Sequence, residues 1–276
     1  MATRLPVLGG HSIGFGATTR RDAWWVGSAL TLLGLSAFVA YATWAGMQAD
    51  YYYVAPYLSP MYSPVLFANP GAVAGVPVSE AWLGAWPSWW PAFLPMSPAM
   101  LILAFPGSFR VTCYYYRKAY YRAFAASPPG CAVGPMAQGR KYRGETGLLL
   151  LQNLHRFALY FALAFLCILS YDAFLAFSRD GVIGVGVGTV VLCINPIMLG
   201  MYTLGCHSFR HLVGGRRDAM SCGQDTFAHD AWKKVSWLNV RHMQLAWISL
   251  FWVAFTDLYV RLVAMGVITD FNTWGH

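Results

Sequence analysis

Charged side chains are scarce in this sequence. Only 11% of its 276 residues are charged and 57% are hydrophobic, whereas about a quarter of the residues of a soluble domain normally carry charge. This deficit excludes an ordinary soluble domain and predicts an integral membrane protein. The net charge of +8 does not indicate a nucleic-acid-binding protein, because the cations occur in short blocks between apolar stretches.

Lysine and arginine are missing from residues 48–90, which are rich in Tyr, Trp, Pro and Gly instead. Because Lys and Arg are enriched in cytoplasmic loops, this stretch is predicted to be a long aromatic loop on the non-cytoplasmic side. A cleavable signal peptide is not evident either, since the first 22 residues are Gly-rich and polar. The mature chain is therefore expected to begin at Met1.

Five apolar stretches predict membrane-spanning helices, each of which needs about 20 residues. They cover approximately residues 23–47, 97–113, 152–177, 182–205 and 242–267. The predicted fold is all-α, a bundle of five transmembrane helices forming one domain over residues 1–276. Pro106 and Gly107 predict a kink in the second helix. No internal repeat is evident, which disfavours a transporter built from two similar halves.

The distribution of Lys and Arg predicts the orientation of these helices. Basic residues cluster before the first helix and in the loops at 114–150 and 206–241, whereas Arg179 stands alone in the loops of the opposite side. The N-terminus is therefore expected in the cytoplasm and the C-terminus outside. The basic loops are candidates for docking a soluble partner or for attracting anionic lipid.

Four of the predicted helix ends carry a cysteine or a histidine at the same membrane depth. These residues are Cys113, His155, Cys206 or His207, and His242. A single cysteine at such a position is typically a small apolar filler. Four helices presenting metal-capable side chains in one layer indicate a shared site instead, because ionisable groups at membrane depth are costly and mark function.

Two thiolates and two imidazoles are compatible with more than one metal centre. Zinc accepts such ligands, but a redox-inert ion has no evident role there. A Rieske-type [2Fe-2S] cluster takes cysteines on one iron and histidines on the other, and it would pass single electrons to a quinone. The main alternative is haem b held by His155 and His242, which would leave both cysteines unexplained.

Four further residues at the depth of this layer are candidates for a quinone site. They are Arg110, Tyr114, Arg156 and His207. A quinone needs an apolar slot with a donor for its carbonyl oxygen and a route for protons. The alternative for the two arginines is that they extend toward the lipid headgroups.

Three charged residues are predicted near the opposite membrane boundary. Asp257 and Arg261 are four residues apart on the fifth helix, so they share a face and are expected to pair. Asp172 lies on the third helix, about 25 Å from His155 at 1.5 Å per residue. It therefore cannot belong to the same site, and an outer quinone site or a proton path is the alternative for it.

Four strings of this sequence resemble one protein family. FPGSFRVTCYYYRKAYYR at 105–122, QNLHR at 152–156, YTLGCHSFRH at 202–211 and WLNVRHMQLAW at 237–247 are similar to the cytochrome b-like membrane-anchor subunit of a haem-free bacterial succinate dehydrogenase. The likeness covers most of the chain.

The resemblance implies a complex in the bacterial plasma membrane with a flavoprotein subunit and an iron-sulfur subunit. It also implies a Rieske-type [2Fe-2S] cluster in the anchor and electron delivery to menaquinone. Carried over by the matching strings, the ligands are Cys113, His155, Cys206 and His242. His207 and His211 compete with Cys206 for the contribution of its helix.

Overall fold

A computed structural model describes residues 14–136, 152–214 and 227–274 of the chain. These residues are mostly helical, and they divide into two compact units. Of these residues, the first unit contains 14–37, 113–136 and 152, and the second contains 38–112, 153–214 and 227–274. Cys222 and the basic residues at 137–151 and 215–226, to which the sequence assigns cytoplasmic loops, lie outside the described residues.

Residues 14–136 contain one long helix and three short ones. Helix α1 runs from Trp25 to Gln48. Strands β1 (Tyr53–Val54) and β2 (Tyr57–Leu58) then form an antiparallel hairpin, and a 3₁₀ turn follows at Val78–Glu80. The short helices are α2 (Pro98–Ile102), α3 (Ala104–Thr112) and α4 (Tyr114–Ala119), with a π-helical turn at Tyr120–Phe124.

The second half of the chain contains the other long helices. Helix α5 (His155–Leu175) leads into a hairpin of β3 (Ser178–Arg179) and β4 (Val182–Ile183). The remaining helices are α6 (Val187–Leu204), α7 (His207–Val213), α8 (Phe227–Val240) and α9 (His242–Ala264). In the second unit, α6 packs against both α5 and α9, and α3 packs against α5.

Four helices of the described chain are long and apolar enough to cross a membrane, namely α1, α5, α6 and α9. They confirm four of the five predicted spans. The bounds differ most for α6, which was expected from residue 182 but begins at Val187. The reason is local, because Val182 and Ile183 pair with Arg179 and Ser178 in the β3–β4 hairpin.

The second predicted span, residues 97–113, is not a single helix. It forms α2 and α3, with 5 and 9 residues, separated by Leu103. The break falls one turn before the expected kink, since Pro106 has no N–H to donate to the carbonyl of Ile102. Neither helix approaches the roughly 20 residues that a crossing needs, so the prediction of five spans is not confirmed.

Residues 49–97, here called the cap segment, are folded against the ends of two long helices. Tyr52 and Tyr62 stack with ring centroids 4.2 Å apart, and the Tyr62 hydroxyl donates to the carbonyl of Ala45 at 2.5 Å. The guanidinium of Arg261 on α9 donates to the carbonyl of Asp50 at 2.8 Å. Tyr52 and Tyr62 are therefore part of a packed cap, whereas Trp82, Trp89 and Phe93 of the same segment are exposed.

Arg261 and Asp257 form the ion pair that their spacing predicts. Both side chains are buried, and the guanidinium Nε lies 3.5 Å from a carboxylate oxygen of Asp257. The same carboxylate accepts hydrogen bonds from the hydroxyls of Tyr41 on α1 and Ser59 in the cap segment. This network ties α1, α9 and the cap segment together at the cap end of the second unit.

The beginning of α6 packs against the cap segment and against the residues that follow α9. A Cβ atom on Gly188 would lie 2.5 Å from the ring of Tyr57. Asp270 accepts hydrogen bonds from the backbone N–H of Gly188 at 2.8 Å and from the Tyr57 hydroxyl at 2.7 Å. The small residue at 188 therefore allows close approach of an aromatic ring from the β1–β2 hairpin.

In the first unit, two segments distant in the sequence are joined by backbone and hydroxyl contacts. The backbone N–H of Gly16 donates to the carbonyl of Gly134 at 3.1 Å, and the hydroxyl of Thr18 donates to the carbonyl of Ala132 at 2.7 Å. The Ser28 hydroxyl donates to the carbonyl of Pro129 at 2.6 Å. The start of α1 is thus fixed to the segment around residue 130.

Candidate functional site

Four aromatic rings form a continuous row inside the second unit. His155, the first residue of α5, stacks on Phe109 of α3 with ring centroids 4.4 Å apart. Phe109 meets Tyr202 of α6 edge-on at 5.6 Å, and Tyr202 stacks on His242, the first residue of α9, at 4.8 Å. The two histidines predicted to share a layer therefore lie at the two ends of one row of rings.

The orientation of His155 is set by Thr112. The Thr112 hydroxyl lies 3.0 Å from Nδ1 of His155 and 2.7 Å from the carbonyl oxygen of Ser108. Because the hydroxyl has one proton and gives it to that carbonyl, we assign the proton of the imidazole to Nδ1, which donates to Thr112. Nε2 is then the nitrogen with a lone pair for a ligand.

Cys206 is fully buried in the turn between α6 and α7. Its Sγ accepts a hydrogen bond from the backbone N–H of Phe209 at 3.1 Å. The preceding carbonyl, that of Gly205, accepts a hydrogen bond from the side-chain amide of Asn239 on α8 at 2.9 Å. Since His207 and His211 are exposed, Cys206 is the member of this string that the fold buries.

Cys113 and Tyr114 lie in the first unit, and their surroundings differ. Cys113 directly follows Thr112, has an extended backbone before α4, and is 2% exposed. Tyr114 is 67% exposed, and the guanidinium of Arg117 lies over its ring at 4.5 Å. Cys113 is therefore a buried thiol, whereas Tyr114 is an accessible aromatic side chain.

The two arginines proposed for a quinone site have different environments. The guanidinium of Arg110 donates to the carbonyl of Ala246 at 3.2 Å and to the Ser249 hydroxyl at 3.0 Å, both on α9. It also lies over the Tyr202 ring at 4.6 Å. Arg156 is exposed and lies over the ring of Phe157, its neighbour in the chain. Arg110 thus points into the bundle, while Arg156 remains at its surface.

His207, the last quinone-site candidate, begins α7. Partial burial lowers the pKa of its imidazole below the ordinary value, and the nearby positive charge of Arg210 and His211 adds to this effect. A neutral imidazole can both donate and accept a hydrogen bond. The side chain is accessible, and it lies next to Cys206 in the sequence.

Within the described ranges, no group of three or more His, Cys, Asp or Glu side chains is gathered closely enough to hold one metal ion. A zinc ion requires such a gathering. A Rieske-type cluster requires two cysteines on one iron and two histidines on the other. The four residues predicted from the sequence include the donor types that such a cluster takes. Cys206, His155 and His242 belong to the second unit and Cys113 to the first.

Several residues of the site were not predicted from the sequence. Phe109 and Tyr202 separate the histidines along the row, and Thr112 orients one of them. Phe109 and Thr112 are four and one residues before Cys113, so their proximity to the candidate ligand was a usable signal. Tyr202 had a weaker signal, because any aromatic residue in α6 could equally face lipid.

Comparison with known proteins places the chain in a family. Residues 26–266 match the family described as actinobacterial succinate dehydrogenase subunit SdhC. Among solved structures, the Mycobacterium smegmatis Sdh1 complex in the apo form contains a similar chain with 41% identity and a TM-score of 0.80, and the match covers 94% of each chain. No match was found among curated proteins.

The fold agrees with this assignment. The four long apolar helices among the described residues are those expected of a multi-pass membrane protein, and the matched family consists of subunits of an enzyme rather than enzymes that act alone. The likeness to the Sdh1 chain extends over nearly the whole length of both proteins. The chain therefore belongs to the actinobacterial SdhC family, the membrane-anchor subunits of succinate dehydrogenase, or respiratory complex II.

Proposed function

We propose that this chain receives electrons from the iron-sulfur subunit of a succinate dehydrogenase and delivers them to menaquinone through a Rieske-type [2Fe-2S] cluster. Succinate is oxidised on the flavoprotein subunit, so the chain alone does not oxidise it. The N-terminus lies in the cytoplasm of the bacterial plasma membrane, where the basic segments dock the soluble subunits and contact anionic lipid. The observation that carries the proposal is the burial of Cys113, His155 and Cys206, three of the four ligands that the resemblance implies.

The proposed ligands are Cys113 and Cys206 for one iron and His155 and His242 for the other. Bound in this way, the cluster supplies one-electron transfer at a potential raised by its neutral imidazoles. Burial of Cys206 and His155 supports their assignment, because a ligand needs shielding from competing water. Cys113 belongs to the first unit, and its place among the ligands comes from the resemblance and from its burial.

The residues around the ligands have defined roles in this proposal. Thr112 holds His155 with Nε2 available, and the N–H of Phe209 stabilises negative charge on Sγ of Cys206. The positive charge of Arg110, fixed over Tyr202, favours arrival of an electron in the row. Arg110 is also the best-placed of the quinone-site candidates to donate to a menaquinone carbonyl, with Tyr114, Arg156 and His207 as further candidates.

Haem b between His155 and His242 is the alternative cofactor. The structure connects these histidines through successive ring contacts with Phe109 and Tyr202. A porphyrin held by both imidazoles would leave the two buried cysteines, Cys113 and Cys206, without a role. Their burial favours the cluster.

One preparation separates the two cofactors. The intact complex is purified, its iron, acid-labile sulfide and haem are quantified, and the reduced state is examined by electron paramagnetic resonance. We expect iron and sulfide in excess of the clusters of the iron-sulfur subunit, with a Rieske-type signal and no haem. Haem in a 1:1 ratio to this chain would overturn the proposal.

A matched pair of cysteine variants tests the link to quinone. Cys113→Ser should abolish quinone reduction while the flavoprotein continues to pass electrons from succinate to an artificial acceptor. Cys131→Ser is the control, because Cys131 is an exposed cysteine of the same unit and should behave as the wild type. Normal quinone turnover in Cys113→Ser would exclude this residue as a ligand.

A further inference from the structure

A cavity of about 750 Å³ lies between the cap segment and the last turns of α5. Its walls are largely apolar, and its position at the cap end places it about 25 Å from His155 along α5. Ligand pockets for small molecules typically have volumes of about 300–1,000 Å³ and apolar walls with a few polar groups. The cavity has these properties and is separate from the electron-transfer site proposed above.

The charge of the cavity lining is unbalanced. Asp172 and Glu80 are part of the lining, whereas no Lys, Arg or His is among the described residues that line it. Asp172 accepts a hydrogen bond from the Ser63 hydroxyl, and Glu80, which is exposed, lies 3.4 Å from the Tyr53 hydroxyl. The cavity is therefore an apolar space with one carboxylate half-buried in its wall and another that is exposed.

Asp257 is a buried carboxylate whose negative charge is neutralised by a residue of the same fold. It is paired with Arg261 and accepts hydrogen bonds from Tyr41 and Ser59. Asp172 differs, because in the part of the chain that the structure describes it forms no ion pair, and a hydroxyl is its hydrogen-bond partner. A carboxylate in apolar surroundings is stabilised by a nearby cation or by protonation, so a cationic ligand would stabilise the ionised form of Asp172. Asp172 therefore has the properties of a residue that binds a ligand rather than one that stabilises the fold.

We propose that the cavity binds a single-chain cationic amphiphile, an alkylammonium whose head group pairs with Asp172 and whose chain lies against the apolar wall. The rings of Tyr53, Tyr171 and Trp82, which also line the cavity, add cation–π attraction for the ammonium group. A phospholipid head group with an amine is disfavoured, because its phosphate would meet the unneutralised carboxylates. A neutral quinol would leave the negative charge of Asp172 uncompensated.

Direct binding to the full chain in a maltoside detergent tests the proposal. Radiolabelled dodecylammonium is the probe, protein-free micelles correct for partitioning, and unlabelled dodecanol and dodecanoate are competitors of equal chain length. We expect saturable binding with one site per chain, which neither competitor displaces at tenfold excess. Displacement by dodecanol would show that the site selects only for an apolar chain, and absence of saturable binding would also overturn the proposal.

Two variants locate the site. Asp172→Asn should weaken binding about tenfold or more, because a hydrogen bond to a charged group contributes roughly 1.5–3 kcal/mol. Asp230→Asn removes an equal charge from an exposed position on α8 and should bind as the wild type. Equal affinity of the Asp172 variant and the wild type would overturn the assignment. Because the readout is binding, failure here leaves the proposed electron transfer untouched, and failure of that proposal leaves this one untouched.

Discussion

The hydroxyl oxygen of Thr112 on α3 lies 3.0 Å from Nδ1 of His155 on α5. Thr112 immediately precedes Cys113 in the chain. Thr112 is therefore the sequence neighbour of one candidate ligand, and its side chain holds the imidazole of another. Hydrogen bonds of this kind fix the tautomer and orientation of histidines that ligate metals. The contact makes Thr112 the residue through which ligand geometry can be tested without removing a ligand.

Replacing Thr112 by valine should reduce quinone reduction about 10- to 100-fold, the range typical for loss of a partner of a metal-bound histidine. The variant keeps the shape of the side chain but leaves Nδ1 of His155 without its acceptor. The measurements are quinone turnover and the paramagnetic spectrum of the reduced complex, which should shift. Thr112→Ser retains the hydroxyl and serves as control; a normal spectrum in Thr112→Val would exclude this role.

The ligand in the string at 202–211 can be identified by three single substitutions. We expect Cys206→Ala to lose the cluster, because Cys206 is buried and its Sγ is already a hydrogen-bond acceptor. His207→Gln and His211→Gln should retain it, since both histidines are exposed. Iron and sulfide per complex are the measurement. Full occupancy in Cys206→Ala together with loss in either histidine variant would transfer the assignment to that histidine.

The ion pair at the cap end should dominate the stability of the second unit. Arg261→Gln leaves the buried carboxylate of Asp257 without its cation, and breaking a buried pair from one side costs about 3–5 kcal/mol. It also removes the hydrogen bonds to Gln48 and to the carbonyl of Asp50. The free energy of unfolding in mixed micelles is the measurement. Arg241→Gln, at an exposed arginine, is the control and should lie within about 0.5 kcal/mol of the wild type.

Two glycines of α6 offer a matched comparison of packing. Gly188→Ala places a methyl group 2.5 Å from the ring of Tyr57, and such overpacking typically costs about 1–3 kcal/mol. Gly200→Ala places it 3.6 Å from the side chain of Leu166, an ordinary contact. We therefore expect a lower melting temperature only for the first variant. Equal melting temperatures would show that the hairpin can move away from α6 without cost.

The long helices were predictable from the sequence because length and apolar composition alone identify them. His155 and His242 begin α5 and α9 in the structure, so their assignment to helix ends is confirmed. The stretch at 97–113 was predicted as one span and forms two short helices in the structure, because apolar composition does not reveal a hydrogen bond removed by Pro106. The contacts of Tyr57 and Asp270 with α6 were not predicted, since they join residues far apart in the sequence.

For the site, the sequence indicated which residues have metal-binding chemistry but not how they are separated. Spacing along each helix places Cys206 and His242 at helix ends, which the structure confirms. The spacing of residues along a helix contains no information on which rings lie between two helices. Phe109 and Tyr202 were therefore missed. Arg110 was equally ambiguous, because a residue near a membrane boundary can extend outward or inward. Only the contacts with α9 distinguish the two orientations.

Asp270 has a consequence for the order in which the protein matures. It follows every long helix of the described ranges, yet it accepts hydrogen bonds from the N–H of Gly188 and from the hydroxyls of Tyr57 and Tyr259. During translation, the four apolar helices that the structure describes emerge from the ribosome before this carboxylate exists. Closure of the structure around Tyr57 must therefore be a late step, completed after membrane insertion of the helices has begun.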